Sequence, residues 1–293
     1  MTPQPGRPDT GPLTNPRAER VRQVAALAGR PARERSGRFL VEGPQAVREV
    51  VRFAASSVRA LYLSDEAAAR YPEIASEATA GAVPLLIGTG AVLDAMSADA
   101  QGVVAVADQL ATRLPDVLAA RPRLVVLLAH VRDPGNAGSV IRVADAVGAD
   151  AVVLSRASVD VHNPKVVRAT AGSVFHLPVV AGVAVSEAVA ALRSAGLTVL
   201  AADGAGALDL DELVDAVGRC EAHPVAGPTG SSSGPDLAGP TAWLFGNEAW
   251  GLPDDVLALA DATVRVPIRG RAESLNLATA AAICLYASAR AHR

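Results

Sequence analysis

Apolar and polar positions divide the chain into two stretches with different rhythms. Up to about residue 110 the apolar runs are short and alternate between strand and helix spacing. GRFLVEG (37–43) predicts a strand ending at Gly43-Pro44, and Val47, Val50 and Val51 place a helix over Gln45–Phe53. Further strands are predicted at Val58–Leu63, Val83–Ile87 and Val103–Ala107, with helices at Val21–Leu27 and Glu66–Ala80. This alternation describes a small α/β domain over 17–110. Before it, residues 1–16 are rich in Pro, Gly and Thr and read as a disordered tail. After it, 111–122 reads as a linker.

From Arg123 the runs become continuous. RLVVLLAHV (123–131) has the form of a strand buried on both faces, as in a parallel sheet. A turn at 132–138 and a helix over Ser139–Val147 follow, then strands at 151–155, 175–180, 198–202, 243–245 and 263–266. The pattern predicts a second α/β domain over 123–293, built on a parallel sheet. Its last segment, Val266–Tyr286, is a polar turn feeding an Ala-rich run that reads as a helix packed on most faces. The stretch 222–240, AHPVAGPTGSSSGPDLAGP, is too polar to bury a core and reads as a flexible insertion.

Charge changes the picture locally rather than in sum. The net charge of −3 argues for no polyanionic partner, yet seven Arg (Arg17, Arg20, Arg22, Arg30, Arg33, Arg35, Arg38) face only Glu19 and Glu34 within 17–38. Such a run attracts RNA phosphates. Lys165, the only Lys, and Arg168 add two cations at helical spacing. With Phe, Trp and Tyr at 3%, extensive base stacking is not expected. Cys220 and Cys284 form no disulfide framework, and His162 and His176 lack a third ligand, so no metal is expected. The N-terminus has no apolar signal core and no run is suited to a bilayer, which points to the cytosol.

Three polar turns follow buried strands and carry the candidate chemistry. In DPGNAGSVIRVADAVGAD (133–150), Gly and Asn form a tight turn whose N–H groups are available to an anion, and Arg142 lies about one helical turn beyond. The glycine spacing is G-x-x-G, not the G-x-G-x-x-G of dinucleotide folds. In LFGNEAWGLPDD (244–255), a strand end runs into Gly246, Asn247, Glu248 and Gly251; Trp250 is either core or a flank for a ligand. The third, VPIRGRAESLNL (266–277), holds Ser274 and Asn276 before the last helix.

In this order the motifs resemble those of the SpoU (TrmH-like) RNA ribose methyltransferases of the SPOUT superfamily. The matching residues are N-x-G-x-x-x-R at Asn136, Gly138 and Arg142, F-G-N-E-x-x-G-L at 245–252, and P-I-x-G-x-x-E-S-L-N-L at 267–277. The intervening NPKVVRATAGSVFHLP is similar to ribosomal-RNA members, and RSGRFLVEG (35–43) to the small ribosomal-protein-like (L30e-like) substrate-binding domain that many carry. The resemblance implies S-adenosylmethionine held in a deep trefoil knot of the C-terminal domain, within a homodimer. It implies cofactor contacts at Leu244, Phe245, Gly246, Asn247, Gly251, Val266, Pro267, Ile268, Ser274, Leu275, Asn276 and Leu277. Asn136, Glu248, Ser274 and Asn276 would line the methyl-transfer site, joined by Arg142 of a partner subunit as base or as phosphate and oxyanion anchor. The implied reaction is 2′-O-methylation of ribose, with 23S rRNA preferred, as in the large-subunit methylases that include thiostrepton-resistance enzymes. A tRNA substrate, or a non-catalytic RNA-binding factor on the same fold, is the alternative.

Overall fold

The computed structural model describes residues 11–222 and 234–292, and the chain divides into two compact units, one ending at Gln109 and one beginning at Leu110. The first contains α1 (Glu19–Ala26), α2 (Arg30–Ser36), β1 (Arg38–Glu42), α3 (Pro44–Phe53), β2 (Val58–Ser64), α4 (Asp65–Arg70), α5 (Pro72–Ala80), β3 (Leu85–Gly88), α6 (Gly90–Met96) and β4 (Val103–Asp108). Its sheet has the order β1-β4-β2-β3, antiparallel except for the β2–β3 pair. Val21, Val24 and Leu27 of α1 and Val92, Leu93 and Met96 of α6 cover Leu40, Tyr62, Val104 and Val106 of the sheet.

The helix expected over 66–80 is two helices, because Pro72 lacks an N–H and drives Tyr71 out of the helical region, to φ −126° and ψ 59°. The tail expected over 1–16 lies outside the described residues as far as position 10. Beyond that it docks: Leu13 forms a parallel bridge with Gly88, donating to the Ile87 carbonyl at 2.8 Å and accepting from the Thr89 amide at 2.9 Å. The short helices α2 and α6 carried too little periodicity to be expected.

The second unit contains α7 (Leu114–Ala119), β5 (Leu124–Leu128), α8 (Pro134–Ala146), β6 (Ala151–Ser155), α9 (Pro164–Ala169), β7 (Val179–Val183), α10 (Val185–Ser194), β8 (Thr198–Ala202), β9 (Leu208–Asp209), α11 (Leu210–Ala222), β10 (Thr241–Phe245), α12 (Asp254–Leu257), β11 (Ala262–Arg265) and α13 (Leu277–Ala291). The sheet order is β7-β6-β5-β10-β8-β11-β9, and every pairing is parallel. β10, late in the chain, lies between β5 and β8 and is buried along its whole length. This is the parallel α/β sheet that the continuous apolar runs predict.

Several boundaries differ from expectation. The 111–122 linker holds α7, whose Leu114 and Val117 join the sheet core. The strand expected over 175–180 begins at Val179, after a 3-10 turn at Ser173–Phe175. Of the 222–240 insertion, 223–233 lies outside the described residues. The remainder is packed: Leu237 is fully buried and the Ala238 carbonyl accepts from Arg123 at 2.9 Å. α13 buries only one stripe, through Ala281, Cys284, Leu285 and Ser288, and leaves Ile283 and Tyr286 exposed. Burial pushes the Cys284 thiol up to about 12, far from thiolate chemistry.

Candidate active site

In parallel α/β sheets, ligands bind outside the carboxyl ends of the strands. A cavity of about 500 Å³ opens there, beyond the ends of β8, β10 and β11, within the range used for small molecules. Of the residues expected at a cofactor, Phe245, Gly246, Asn247, Gly251, Val266, Ser274, Leu275, Asn276 and Leu277 line it, together with Glu248. Three do not. Leu244 is fully buried in the sheet core because alternate residues of a strand face opposite ways, and Pro267 and the exposed Ile268 lie outside the lining.

The cavity walls also include Ala202, Asp203 and Gly204 at the end of β8, Ala249 and Val264, and Ala280 on α13. The Asp203-Gly204 pair after a buried strand was the available signal, a turn dipeptide at the edge where such sheets bind ligands. The 203–206 turn lies tight on β11: a Cβ on Gly206 would sit 2.6 Å from the Val264 carbonyl carbon.

The 246–251 turn is a closed loop. Asn247 and Gly251 exchange backbone hydrogen bonds at 2.9 Å, and the Asn247 side chain accepts from the Ala249 amide at 2.9 Å. Its Nδ2 donates to the His130 carbonyl at 2.7 Å, tying this loop to the end of β5, where His130 adopts a left-handed φ of 56°. A Cβ on Gly246 would fall 2.4 Å from the Gly251 backbone, so only glycine admits this closure. Trp250, at the loop's tip, is not core: it is 50% exposed, with the Arg132 guanidinium 5.1 Å from its ring centre.

The first motif behaves differently from expectation. Residues 134–138 are already helical, and Asp133 caps α8 by accepting from the Asn136 amide at 2.7 Å. That carboxylate occupies the helix end proposed for an anion. Gly138 serves packing, since a Cβ there would lie 2.4 Å from the Ala169 Cβ on α9.

One line of hydrogen bonds joins all three motifs. Asn136 Nδ2 donates to Glu248 Oε1 at 3.2 Å, and Asn276 Nδ2 donates to Asn136 Oδ1 at 2.9 Å. Asn276 Oδ1 meanwhile caps α13, accepting from the amides of Ala278 and Thr279 at 2.9 and 3.3 Å. Arg142 is exposed, outside the cavity lining, and without an ion pair among the described residues. Six helical residues separate it from Asn136, roughly 240° of rotation and about 9 Å of rise, so the two point to different faces of α8.

The expected RNA-binding cations also separate. Arg33 is 2% exposed and donates to the Leu27 and Ala28 carbonyls at 2.9 and 2.8 Å, a structural role at the end of α1. Arg22 pairs with Glu19 at 2.5 Å and Arg30 with Glu34 at 2.7 Å. Arg17, Arg20, Arg35 and Arg38 are exposed, as is Lys165 on α9, while Arg168 is half-buried. His176 pairs with Asp145 at 2.7 Å, and His162 accepts from the Leu110 amide at 3.2 Å. No helix among the described residues is long and apolar enough to cross a membrane.

Comparison with known proteins bears on both units. Residues 18–105 match the model of the MRM3-like substrate binding domain, and residues 123–286 match that of the SpoU rRNA Methylase family. The chain is 33% identical over 283 residues to a 23S rRNA (uridine(2479)-2'-O)-methyltransferase of Streptomyces viridochromogenes, covering 94% of this chain and 90% of that protein. It is 30% identical over 277 residues to the 23S rRNA (guanosine(2553)-2'-O)-methyltransferase RlmP of Bacillus subtilis (strain 168), covering 92% and 95%. The AdoMet-bound rRNA methyltransferase from Sinorhizobium meliloti superposes with a TM-score of 0.77 at 28% identity, over 96% of this chain and 97% of that one. With the family motifs joined by one line of hydrogen bonds and the likeness running the length of both units, the chain belongs to the SpoU rRNA methylase family.

Proposed function

We propose that this protein transfers a methyl group from S-adenosylmethionine to a ribose 2′-hydroxyl of 23S rRNA, acting as a homodimer in the cytosol. The observation that carries the reading is the Glu248–Asn136–Asn276 hydrogen-bond line at the wall of the 500 Å³ cavity. It brings the first motif, more than a hundred residues upstream, together with the other two.

The cavity's make-up fits S-adenosylmethionine. Phe245, Val266, Leu275 and Leu277 offer apolar surface to the adenine, and the closed 246–251 loop offers backbone groups to the ribose and amino acid. Asp203 and Glu248 supply two carboxylates, the complement of a sulfonium cation. When bound, the cofactor supplies a methyl group open to in-line attack by an oxygen nucleophile. The chain's contribution is then largely positioning, with the attacking hydroxyl held at the cavity mouth. Ser274, on the lining, is placed to hydrogen-bond the incoming ribose.

Arg142 is exposed and outside its own chain's cavity lining, which favours its entry into the site of a second copy. A guanidinium stays protonated in proteins, so its role there is to hold the adjacent phosphate and stabilise charge developing on the 2′-oxygen. The same reading threads the C-terminal segment as a trefoil knot; β10 lying between β5 and β8, and α13 packing on α8, support it. Arg142→Ala is expected to reduce methyl incorporation into 23S rRNA by at least a hundredfold while calorimetry shows unchanged S-adenosylmethionine affinity. Near-normal turnover in that variant would remove Arg142 from the mechanism. An intact protein that binds no S-adenosylmethionine would instead favour a purely RNA-binding role.

A further inference from the structure

The first unit has a concave site of its own, separate in composition from the cavity above. A groove of about 450 Å³ lies between α1, α2 and the sheet. Its floor is apolar, formed by Leu27, Ala60, Tyr62 and Val106. Four guanidinium groups from four elements stand round it: Arg20 of α1, Arg35 of α2, Arg38 of β1 and Arg59 of β2. No acidic residue lines it. Two of the four are partly neutralised by Asp108, which is engaged by Arg59 and lies 3.7 Å from Arg38. Arg20 and Arg35 carry no ion pair among the described residues.

This arrangement divides the Arg-rich segment by geometry rather than by count. Arg22 and Arg30 are tied to Glu19 and Glu34 one helical turn away, and Arg33 is buried in the unit's own structure. Arg59 lies outside the run and joins the groove only because β2 pairs with β4, where the next residue, Ala60, is the partner of Val106. A purely electrostatic RNA contact needs only a convex cationic face. Here the cations surround a concave apolar floor. Guanidinium groups fork to phosphate oxygens and also lie flat on base faces, whereas the floor can remove one base face from water. Sequence-specific RNA recognition takes unstacked bases into such sites, and a volume of this size suits one nucleotide.

We infer that the groove between α1, α2 and the sheet of the first unit holds a single unstacked nucleotide of the RNA substrate, its base against Leu27 and Val106 and its phosphates on Arg20 and Arg35. The inference rests on the RNA-methylation reading and adds a discrete recognition pocket to it. The groove would select RNA by the presence of an extruded nucleotide, and so help to choose which ribose reaches the cofactor cavity.

Two double variants of the full chain carry the same charge change and separate the groove from the general field. Binding of a 23S rRNA transcript by fluorescence anisotropy is expected to weaken about tenfold or more in R20Q/R35Q, with the salt slope of log Kd falling by about 1 to 2. R22Q/R30Q should change Kd less than twofold. Ala26→Trp, at an exposed groove position on the end of α1, fills the site without altering charge and should also weaken binding severalfold. Equal losses in both double variants, or no effect of Ala26→Trp, would show a diffuse cationic surface and overturn the pocket. Wild-type binding and methylation of the same transcript report separately on the RNA reading: a wild type that methylates the transcript while its groove variants bind normally overturns the pocket alone, and a wild type that neither binds nor methylates it overturns both.

Discussion

Asn136, not itself on the cavity lining, links two polar side chains that are. Its amide nitrogen gives to Glu248 and its amide oxygen takes from Asn276, so the orientation of one carboxamide is set from both sides. Asn276 in turn divides its own amide between this line and the cap of α13. The two duties can be separated. Asn276→Ala removes both, and the lost cap should cost about 1 kcal/mol in chemical denaturation. Asn276→Asp keeps a capping acceptor but cannot donate to Asn136, so stability should stay near wild type while methyl transfer falls at least tenfold. Full activity in the Asp variant would mean the line is not functional. None of this pairing is visible in sequence, where Asn136 and Asn276 are 140 positions apart. What is visible is only that Asn276 stands before an Ala-rich helix, at the N-cap position asparagine favours.

At the scale of elements, the strands of the second unit were the most legible part of the molecule. Runs such as LVVLL and AVVLS are apolar at every position because both faces of a parallel sheet are covered, and a pattern of that kind survives without tertiary context. Helix starts were less so. The 132–138 segment looks like a loop because Pro, Gly and Asn are turn formers, yet Pro134 is at home in a first helical turn and Asp133 caps it. Gly138 was read as part of a ligand turn, and its reason is a neighbour: α9 passes so close that a side chain has no room. Gly138→Ala should therefore destabilise by about 1–3 kcal/mol in urea denaturation through overpacking, although alanine is the better helix former. An unchanged or raised midpoint would show that α8 and α9 can separate without cost.

For the molecule as a whole, one exposed apolar face that matters to the proposed assembly is on α13. Ile283 and Tyr286 are 40% and 56% exposed and lie on one face with Thr279 and Arg290, while the opposite stripe is buried. A helix expected to be covered on most sides is thus covered on one within a single chain. The homodimer proposed above would supply the missing cover. Replacing Ile283 and Tyr286 by Glu should yield monomers by light scattering, with thermal stability of the isolated chain little changed and methylation lost. A double variant that stays dimeric would place the interface elsewhere, and a monomeric, active wild type would end the proposal that a partner's Arg142 is required.

The chain by itself determined the α/β class, the parallel sheet and the order of three polar turns after buried strands, because each is written in local periodicity and turn chemistry; the family followed from the resemblance of the residues in those turns to known motifs. Only the tertiary structure decided which residues of the motifs line the cavity, that Leu244 faces the core rather than the cavity, that Asp203 is on the lining, and which arginines of an Arg-rich segment are left exposed without an ion pair among the described residues. Those outcomes depend on partners distant in sequence. A carboxylate at hydrogen-bond distance, a carbonyl at a helix end or a strand across the sheet settles what a side chain does, and spacing along the chain carries no record of them.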